Sequence, residues 1–180
     1  MYYANDKVSH PSYGACTVSG ICDLNFTGAQ ITYYKLIPCV DSGASVFVPV
    51  DNAKKIGLRP LMTKAQATSL MNFLLSIDEQ WPSDSREKSE RYRSATSNNS
   101  IDGIHEILSV MGSIIKHKSE KELGSADKAM LENIQKKVLP ELSVVLGISM
   151  NTLVQKVEES VLQRGQENRG EIPSGNLVRP

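Results

Sequence analysis

The chain has 180 residues, of which 40% are hydrophobic and 22% are charged. These proportions are close to the averages of soluble globular domains and exclude both wholesale disorder and a disulfide-dependent miniprotein. Lysine plus arginine total 20 and aspartate plus glutamate also total 20, so no overall field draws the chain onto DNA or an acidic membrane. Any contact with nucleic acid is therefore expected to be local.

The start of the chain and its cysteines bear on the cellular compartment. The first seven residues are polar and do not match a signal peptide, and no apolar run approaches the roughly 18 residues that a membrane span requires. The three cysteines, Cys16, Cys22 and Cys39, form no C-x-x-C pair. We therefore expect a cytoplasmic protein with reduced thiols, no membrane partner and no zinc site.

Up to Pro60, short β-branched and aromatic runs alternate with turn-forming residues. Connections this short make neighbouring strands antiparallel, and such strands bury one face by curling into a small barrel. The sequence therefore predicts an SH3-like or Tudor-like antiparallel β-barrel of four or five strands at residues 1–60.

From Thr63 onward the apolar residues recur with the period of a helix. This pattern predicts a bundle of about five helices at residues 61–162, so the predicted fold class is α+β. Caps and helix-breaking residues set the boundaries of these helices. The first helix begins after a Thr63 cap and ends near Ile77, and the second begins at Trp81-Pro82 and ends near Ala95. The third begins after a Ser100 cap, the fourth begins after Gly124 and kinks or restarts at Pro140, and the last extends from about Asn151 to Leu162. Apolar residues nearly vanish after Gln163, which predicts a flexible tail at residues 163–180.

The residues that usually build an active site are sparse and scattered. The three histidines, His10, His105 and His117, form no H-E-x-x-H pattern, and the chain contains no P-loop motif, dinucleotide-binding glycine motif or G-x-S-x-G elbow. Acidic residues alternate with basic ones along the predicted helices, as is typical of a solvated face. We therefore expect a binding protein that is not an enzyme, with no catalytic residue, metal, cofactor or small-molecule substrate.

The segment from Trp81 to Arg93 has the most unusual local chemistry. It contains the single tryptophan of the chain, followed by the cations Arg86, Lys88, Arg91 and Arg93. Such cations can contact successive phosphates, and an indole can wedge between bases or stack on one. Two interpretations stay open, because Trp81 can also plug the space between two helices.

The predicted barrel offers a different kind of surface. Leu24, Tyr33 and Phe47 are large apolar residues on its strands, where they can form an edge-accessible interface for a strand of another protein. Phe47 lies between Val46 and Val48, so it points either into the core or to solvent. If the two valines point inward, Phe47 is exposed and is a natural interface anchor.

Three motifs follow one another along the chain: HPSYG at 10–14, VPVDNA at 48–53 with IGLRP at 56–60, and SADKAML at 125–131. In this order, and over essentially residues 1 to 160, the chain resembles the CarD-like family of bacterial transcription regulators. The resemblance implies an N-terminal Tudor-like domain that binds the β subunit of RNA polymerase and a helical domain that touches promoter DNA.

The resemblance also implies roles for particular residues. Members of the family hold promoter complexes open, with a tryptophan in the minor groove at the upstream edge of the melted DNA and no readout of base sequence. On this basis Leu24 and Phe47 are expected polymerase contacts, at positions where some members have basic residues, and Tyr33 joins them as the third large apolar residue of the strand surface. The expected DNA contacts are Trp81 as the wedge, Arg93 and Lys128 on phosphates, and Arg86, Lys88 and Arg91 beside them. The alternative is a protein–protein adaptor with the same barrel, no DNA contact and Trp81 as a structural plug.

Overall fold

The computed structural model describes residues 1–25, 28–40, 43–97 and 100–170, and side chains up to Arg164. Within these residues, five strands form one antiparallel sheet in the order β4-β3-β2-β1-β5: β1 Lys7–His10, β2 Gly14–Leu24, β3 Ile31–Pro38, β4 Val46–Pro49 and β5 Arg59–Pro60. A 3-10 turn at Val50–Asn52 and a short helix α1 at Ala53–Ile56 separate β4 from β5. The remaining helices are α2 Lys64–Ser76, α3 Ser85–Thr96, α4 Ile101–Glu120, α5 Ser125–Leu146 and α6 Met150–Gly170. The predicted α+β fold, a Tudor-like domain followed by a helical region, is confirmed.

Strand alternation builds the core of the sheet domain. Val18 pairs with Leu36, and Tyr34 pairs with Val48, and all four side chains are buried. Residues that pair across two strands share one face of the sheet, so these side chains form one inner layer. The Tyr34 hydroxyl also accepts a hydrogen bond of 3.1 Å from the backbone nitrogen of Tyr2, which ties the N-terminus to this layer.

Strand β2 changes face at an irregularity between Val18 and Gly20. Val18 pairs with Leu36 but Gly20 pairs with Lys35, so β2 contains one more residue than β3 over this stretch. After such a bulge, the residues that would have pointed outward point inward, and the residues that would have pointed inward point outward. Leu24, which lies an even number of residues after Val18, consequently points to the outer face and pairs with Ile31.

Side-chain caps set the starts of three helices. Thr63 and Gln66 form a reciprocal capping box at α2, and the Ser100 hydroxyl accepts a bond of 3.1 Å from the backbone nitrogen of Gly103 at α4. The Asp84 carboxylate accepts bonds from the backbone nitrogens of residues 86 and 87, at 3.0 and 2.9 Å. Helix α3 therefore begins at Ser85, and the predicted start at Trp81-Pro82 is wrong because the cap lies after the proline.

Two further boundaries differ from the sequence expectation. Helix α5 continues through Pro140 as one element, so of the predicted kink or restart at this proline the restart does not occur. Helix α6 continues to Gly170, beyond the predicted end near Leu162. The part of the predicted tail at residues 171–180 lies outside the described residues.

The core of the helical domain lies between α2, α4, α5 and α6. Helix α4 packs so closely on the chain after α2 that a Cβ added to Gly112 would lie 2.8 Å from Ile77 Cγ2. No single described helix is both long and apolar enough to cross a membrane, and α5 with α6 up to Arg164 meets that test only as a pair bent by 104°. The largest fully buried side chains of this core are Leu70, Leu74, Ile107, Leu108, Met111, Ile114, Ile134, Leu139, Leu142 and Leu153.

The sheet rests on helix α5 at the turn between β1 and β2. Gly14 has a φ of +62°, and a Cβ at this position would lie 2.8 Å from the Lys137 carbonyl oxygen and 3.1 Å from Pro140 Cβ. Only glycine combines this backbone conformation with so close an approach. The glycine of the HPSYG motif therefore brings the sheet domain into direct contact with the helical domain.

Candidate interaction surfaces

The three apolar residues predicted to bind polymerase lie together on the outer face of the sheet. Leu24 pairs with Ile31, and Tyr33 follows Ile31 by two residues on β3, which places all three on one face. Phe47 pairs with Lys35, the next residue of β3 on the same face. The structure thus brings Leu24, Tyr33 and Phe47 onto one surface, which we call the outer sheet face.

The orientation of Phe47 decides between the two readings that the sequence left open. Val48 is buried and pairs with Tyr34 in the inner layer, whereas the Phe47 side chain is 38% exposed. Phe47 therefore belongs to the outer sheet face. It lies on β4, which is an edge strand of the described sheet, so an apolar anchor and a strand edge are adjacent.

Trp81 lies in the core of the helical domain. It is only 5% exposed, and its Nε1 donates a hydrogen bond of 3.1 Å to Asp127 Oδ1. The guanidinium carbon of Arg91 lies 5.9 Å from the centroid of the indole ring, within the range of a cation–π contact. An indole in this position is not accessible to a DNA groove, so the structure favours the plug over the wedge.

Asp127 is the charged residue that organises this region. Its carboxylate is buried and accepts a second hydrogen bond, of 2.7 Å, from Lys88 Nζ. Burial raises the pKa of Asp127, but the hydrogen bonds from Lys88 and Trp81 more than offset burial, and the pKa lies below its ordinary value. Lys88 is thus paired inside the molecule, between α3 and the first turn of α5, and does not project toward a ligand.

Arg91 also makes internal contacts. Its guanidinium donates to the Gln80 carbonyl oxygen and the Ser109 hydroxyl, both at 3.1 Å, and to the Ser113 hydroxyl at 3.2 Å. It also forms an ion pair with Glu79. Arg91 therefore joins α3 to α4 and to the loop before α3.

Three of the predicted DNA contacts remain at the surface. The Arg86 side chain is 87% exposed and pairs with Glu90, and Lys128 is exposed and lies 3.3 Å from Glu122. Arg93 is exposed and has no ion-pair or hydrogen-bond partner for its side chain among the described residues. Arg86 and Arg93 lie seven residues, or about two turns, apart on the side of α3 that faces away from Lys88.

A cleft of 530 Å³ between α2, α3 and α4 is lined in part by His105. The His105 ring packs edge to face on Phe73 with the ring centroids 4.8 Å apart, and Arg91 lines the cleft beside them. In the part of the chain that the structure describes, no group of three or more histidine, cysteine, aspartate or glutamate side chains is arranged to hold a metal.

Sequence reasoning missed the buried carboxylate at the contact between the two domains. Glu141 on α5 is 2% exposed and accepts four hydrogen bonds. The donors are Arg59 Nη1 at 2.7 Å, Arg59 Nη2 at 2.8 Å, Ser9 Oγ at 2.9 Å and the Met62 backbone nitrogen at 2.7 Å. The available signal was its place within the apolar run VLPEL at 138–142, where a charged residue interrupts an otherwise buried helix face.

Comparison with known proteins matches the two structural regions separately. Residues 2–62 match the family model described as CarD-like/TRCF RID domain, and residues 72–158 match the model described as CarD, C-terminal domain. Over 153 residues the chain is 25% identical to a Bacillus subtilis (strain 168) protein named "Putative transcription factor YdeB", an alignment that covers 83% of this chain and 95% of that protein. The sheet domain, the helical domain and their order along the chain are thus those of one family, and the chain belongs to the CarD-like family of bacterial transcription regulators.

Proposed function

We propose that this chain is a non-enzymatic, cytoplasmic transcription regulator that binds the β subunit of RNA polymerase through its outer sheet face. We further propose that its helical domain contacts upstream promoter DNA and lengthens the life of the open complex. The observation that carries the proposal is the convergence of Leu24, Tyr33 and Phe47 on one face of the sheet, where Leu24 and Tyr33 are partly exposed and Phe47 is exposed on an edge strand.

The chemistry of the outer sheet face supports a protein partner. An edge strand can be extended by a strand of another chain, and neighbouring apolar side chains then supply affinity and register. Aromatic anchors dominate the energy of such interfaces. Ile31 and Ile37 lie on the same face as Tyr33 and are half-buried, so the apolar surface continues along β3 beyond the anchors.

The surface cations of the helical domain support a limited DNA contact. Arg86 and Arg93 project from one side of α3 and can reach phosphates without any change in the core. The formal net charge is zero, so binding to free DNA is expected to be weak and salt-dependent. On this proposal, binding to polymerase holds the helical domain close to the promoter and so raises its local concentration at the DNA.

The proposal includes a division of the chain and a revised role for Trp81. We propose a polymerase-interacting domain at residues 1–60 and a DNA-contacting domain at 61–162, a division supported by the segments that the two family models match. The tail predicted to begin at residue 163 is not part of the proposal, because helix α6 continues to Gly170. Trp81 stabilises the first turn of α5 and the mid-section of α3 through Asp127. On this proposal it supports the cations of α3 and does not enter DNA.

The experiment measures the lifetime of a promoter open complex formed by bacterial RNA polymerase holoenzyme and challenged with competitor. We expect the wild-type chain to lengthen the lifetime, Phe47→Ala to lose both polymerase binding and the effect, and the double variant Arg86→Ala/Arg93→Ala to keep binding but lose most of the effect. Lys136→Ala, at an exposed ion pair on α5, is the matched control for loss of a surface cation. An unchanged lifetime with wild-type protein bound to polymerase would contradict the DNA part of the proposal.

A second function, that of a protein–protein adaptor without DNA contact, is favoured by one specific observation. Trp81, Lys88 and Arg91, half of the six predicted DNA contacts, are used for internal contacts. If the adaptor is correct, Phe47→Ala abolishes polymerase binding while the arginine variants behave as wild type in every assay.

A further inference from the structure

We infer that Glu141 locks the sheet domain onto the helical domain, and that this lock is required for the chain to act on polymerase and promoter DNA together. The locking itself stands on the geometry of the junction, whereas its importance for activity rests on the proposed function. Neither the outer sheet face nor the cations of α3 include any residue of the lock.

Four donors, from β1, β5 and the segment that follows β5, converge on the Glu141 carboxylate. Arg59 on β5 approaches with both terminal nitrogens, Ser9 on β1 donates its hydroxyl, and Met62 donates its backbone nitrogen. A two-pronged guanidinium contact fixes direction as well as distance. The carboxylate therefore specifies one position of β1 and β5 relative to α5.

The ion pair between Glu141 and Arg59 is largely buried. The Glu141 and Arg59 side chains are 2% and 18% exposed. A buried charge is tolerated only when it is paired and fully hydrogen-bonded, and removal of one partner leaves the other at a large cost. With a neutral side chain at position 141, the Arg59 charge stays buried without its partner while the domains are docked, and it regains contact with water when they separate. A neutral side chain at 141 therefore favours separation of the domains.

The two domains are also held close together on either side of the lock. Only Leu61, Met62 and Thr63 separate β5 from α2, and the Met62 side chain is buried in the core of the helical domain. Close to Glu141 on α5, Pro140 and the Lys137 carbonyl oxygen lie against Gly14 with no room for a Cβ. The covalent link, the carboxylate and the glycine contact thus hold the same two domains at three places.

A rigid junction has a direct consequence for two-site binding. When one domain binds polymerase, the effective concentration of the other at the DNA depends on how narrowly the junction limits its position. A loose junction spreads the helical domain over many orientations and lowers that concentration. The lock therefore converts a weak DNA contact into an effective one.

The test compares Glu141→Gln with Glu132→Gln, which removes a charge from an exposed position on the same helix. Backbone ¹⁵N relaxation measures the rotational tumbling of each domain in the full chain. We expect one common tumbling time in the wild type and in Glu132→Gln, and two shorter, unequal times in Glu141→Gln with both cores still folded. A single tumbling time in Glu141→Gln would overturn the lock.

Gly14→Ala perturbs the same junction from the sheet domain. If Glu141→Gln does not fold, the tumbling times of Gly14→Ala test whether the junction is rigid. Gly20→Ala on the same strand is its control, because a Cβ at Gly20 would meet no atom within 4 Å. We expect Gly14→Ala to separate the tumbling times and Gly20→Ala to leave them equal. Equal times in folded Gly14→Ala would likewise contradict the lock.

The same variants are then assayed for polymerase binding and for open-complex lifetime. We expect Glu141→Gln to bind polymerase as the wild type does but to lose at least about tenfold of the lifetime effect. Separated tumbling with an undiminished effect would overturn the requirement for a rigid junction. If the wild-type chain has no effect on open-complex lifetime, the proposed function is wrong. The lock is then tested only by the tumbling times of the two domains in the wild type and the variants.

Discussion

Phe47 on the outer sheet face and Trp81 in the helical domain are both aromatic, but the two side chains have opposite surroundings. Phe47 is 38% exposed on an edge strand, whereas Trp81 is 5% exposed and hydrogen-bonded to a buried carboxylate. A strand that forms one side of a thin domain must present alternate side chains to solvent. A residue in a loop has no such constraint, and the Trp81 ring lies against Arg91 of α3 and Asp127 of α5.

The charged residues show the same contrast. In the Trp81 region, Lys88 and Arg91 are used to neutralise Asp127 and Glu79, and they contribute little to the external field. On the outer sheet face, Lys35 lies among apolar neighbours and opposite Phe47. The number of lysines and arginines in the sequence of α3 therefore overstates the positive charge on its surface. The number of apolar residues in the strands, by contrast, is a good guide to the apolar character of the outer sheet face.

The largest expected effect tests the burial of Trp81. We expect Trp81→Ala to lower the free energy of unfolding by about 4 kcal/mol, because it removes a large buried ring and leaves Asp127 without one donor. Denaturant unfolding measures the change, and Trp81→Phe, which keeps much of the volume but not the N–H, should lose less. A loss below about 1 kcal/mol would show that the ring is not part of the core.

The next effect tests the carboxylate beside that ring. Asp127→Ala removes the acceptor for Trp81 and Lys88 from a buried site, and we expect a loss of about 3 kcal/mol at neutral pH. Glu132→Gln on the same helix serves as the exposed control. A loss no larger than that of this control would contradict the organising role of Asp127.

Acidification tests the same carboxylate independently. Because the pKa of Asp127 is lowered on folding, its contribution to stability is complete above its ordinary value of 3.8 and is lost as the pH falls through the lower pKa of the folded state. We expect the difference in unfolding free energy between wild type and Asp127→Asn to shrink as the pH falls below about 4. A difference that is the same at neutral and strongly acidic pH would contradict this assignment.

A smaller effect tests the difference in burial between two adjacent residues of β4. We expect Val48→Ala to cost about 2 kcal/mol and Phe47→Ala less than about 1 kcal/mol, although phenylalanine is the larger side chain, because only Val48 is buried in the inner layer. Thermal or denaturant unfolding of the two variants checks the order. Equal losses would place Phe47 in the core and remove it from the outer sheet face.

The smallest effect concerns the thiols on the two sides of the bulge in β2. Burial raises the pKa of Cys16 to about 12, so its thiol stays protonated in the native protein, while Cys22 lies on the partly exposed outer face. We expect a thiol reagent at pH 8 to modify Cys22 and Cys39 in the folded chain and Cys16 only on unfolding. Mass spectrometry of the modified peptides identifies the order, and early modification of Cys16 would contradict the register of β2.

Several features could be predicted from residues that lie close together in sequence. The change of period near Pro60 identified the two domains, and the Thr63 and Ser100 caps located two helix starts. The outer position of Leu24 required the bulge between Val18 and Gly20, because simple alternation from Val18 would point Leu24 inward. Its assignment to the outer face was correct, but period-two reasoning alone does not explain it.

The interior of the helical domain and the domain junction could not be predicted in this way. Trp81 and Asp127 are 46 residues apart, and Ser9 and Glu141 are 132 apart, and no local pattern relates either pair. The charge of Glu141 within an apolar helix face indicated a buried partner but not which residue it was. Such partners are chosen by packing, which brings distant segments together.

By itself, the sequence determined the fold class, the order of the domains, the Thr63 and Ser100 helix caps and the apolar residues available for an interface, because these depend on periodicity and on hydrogen bonds within a few residues. Only the tertiary structure decided that Trp81, Lys88 and Arg91 face inward and that Glu141 joins the two domains. The physical reason is desolvation: a polar or aromatic group is as well suited to a ligand as to a buried partner, and the packing of distant elements determines which of the two it meets.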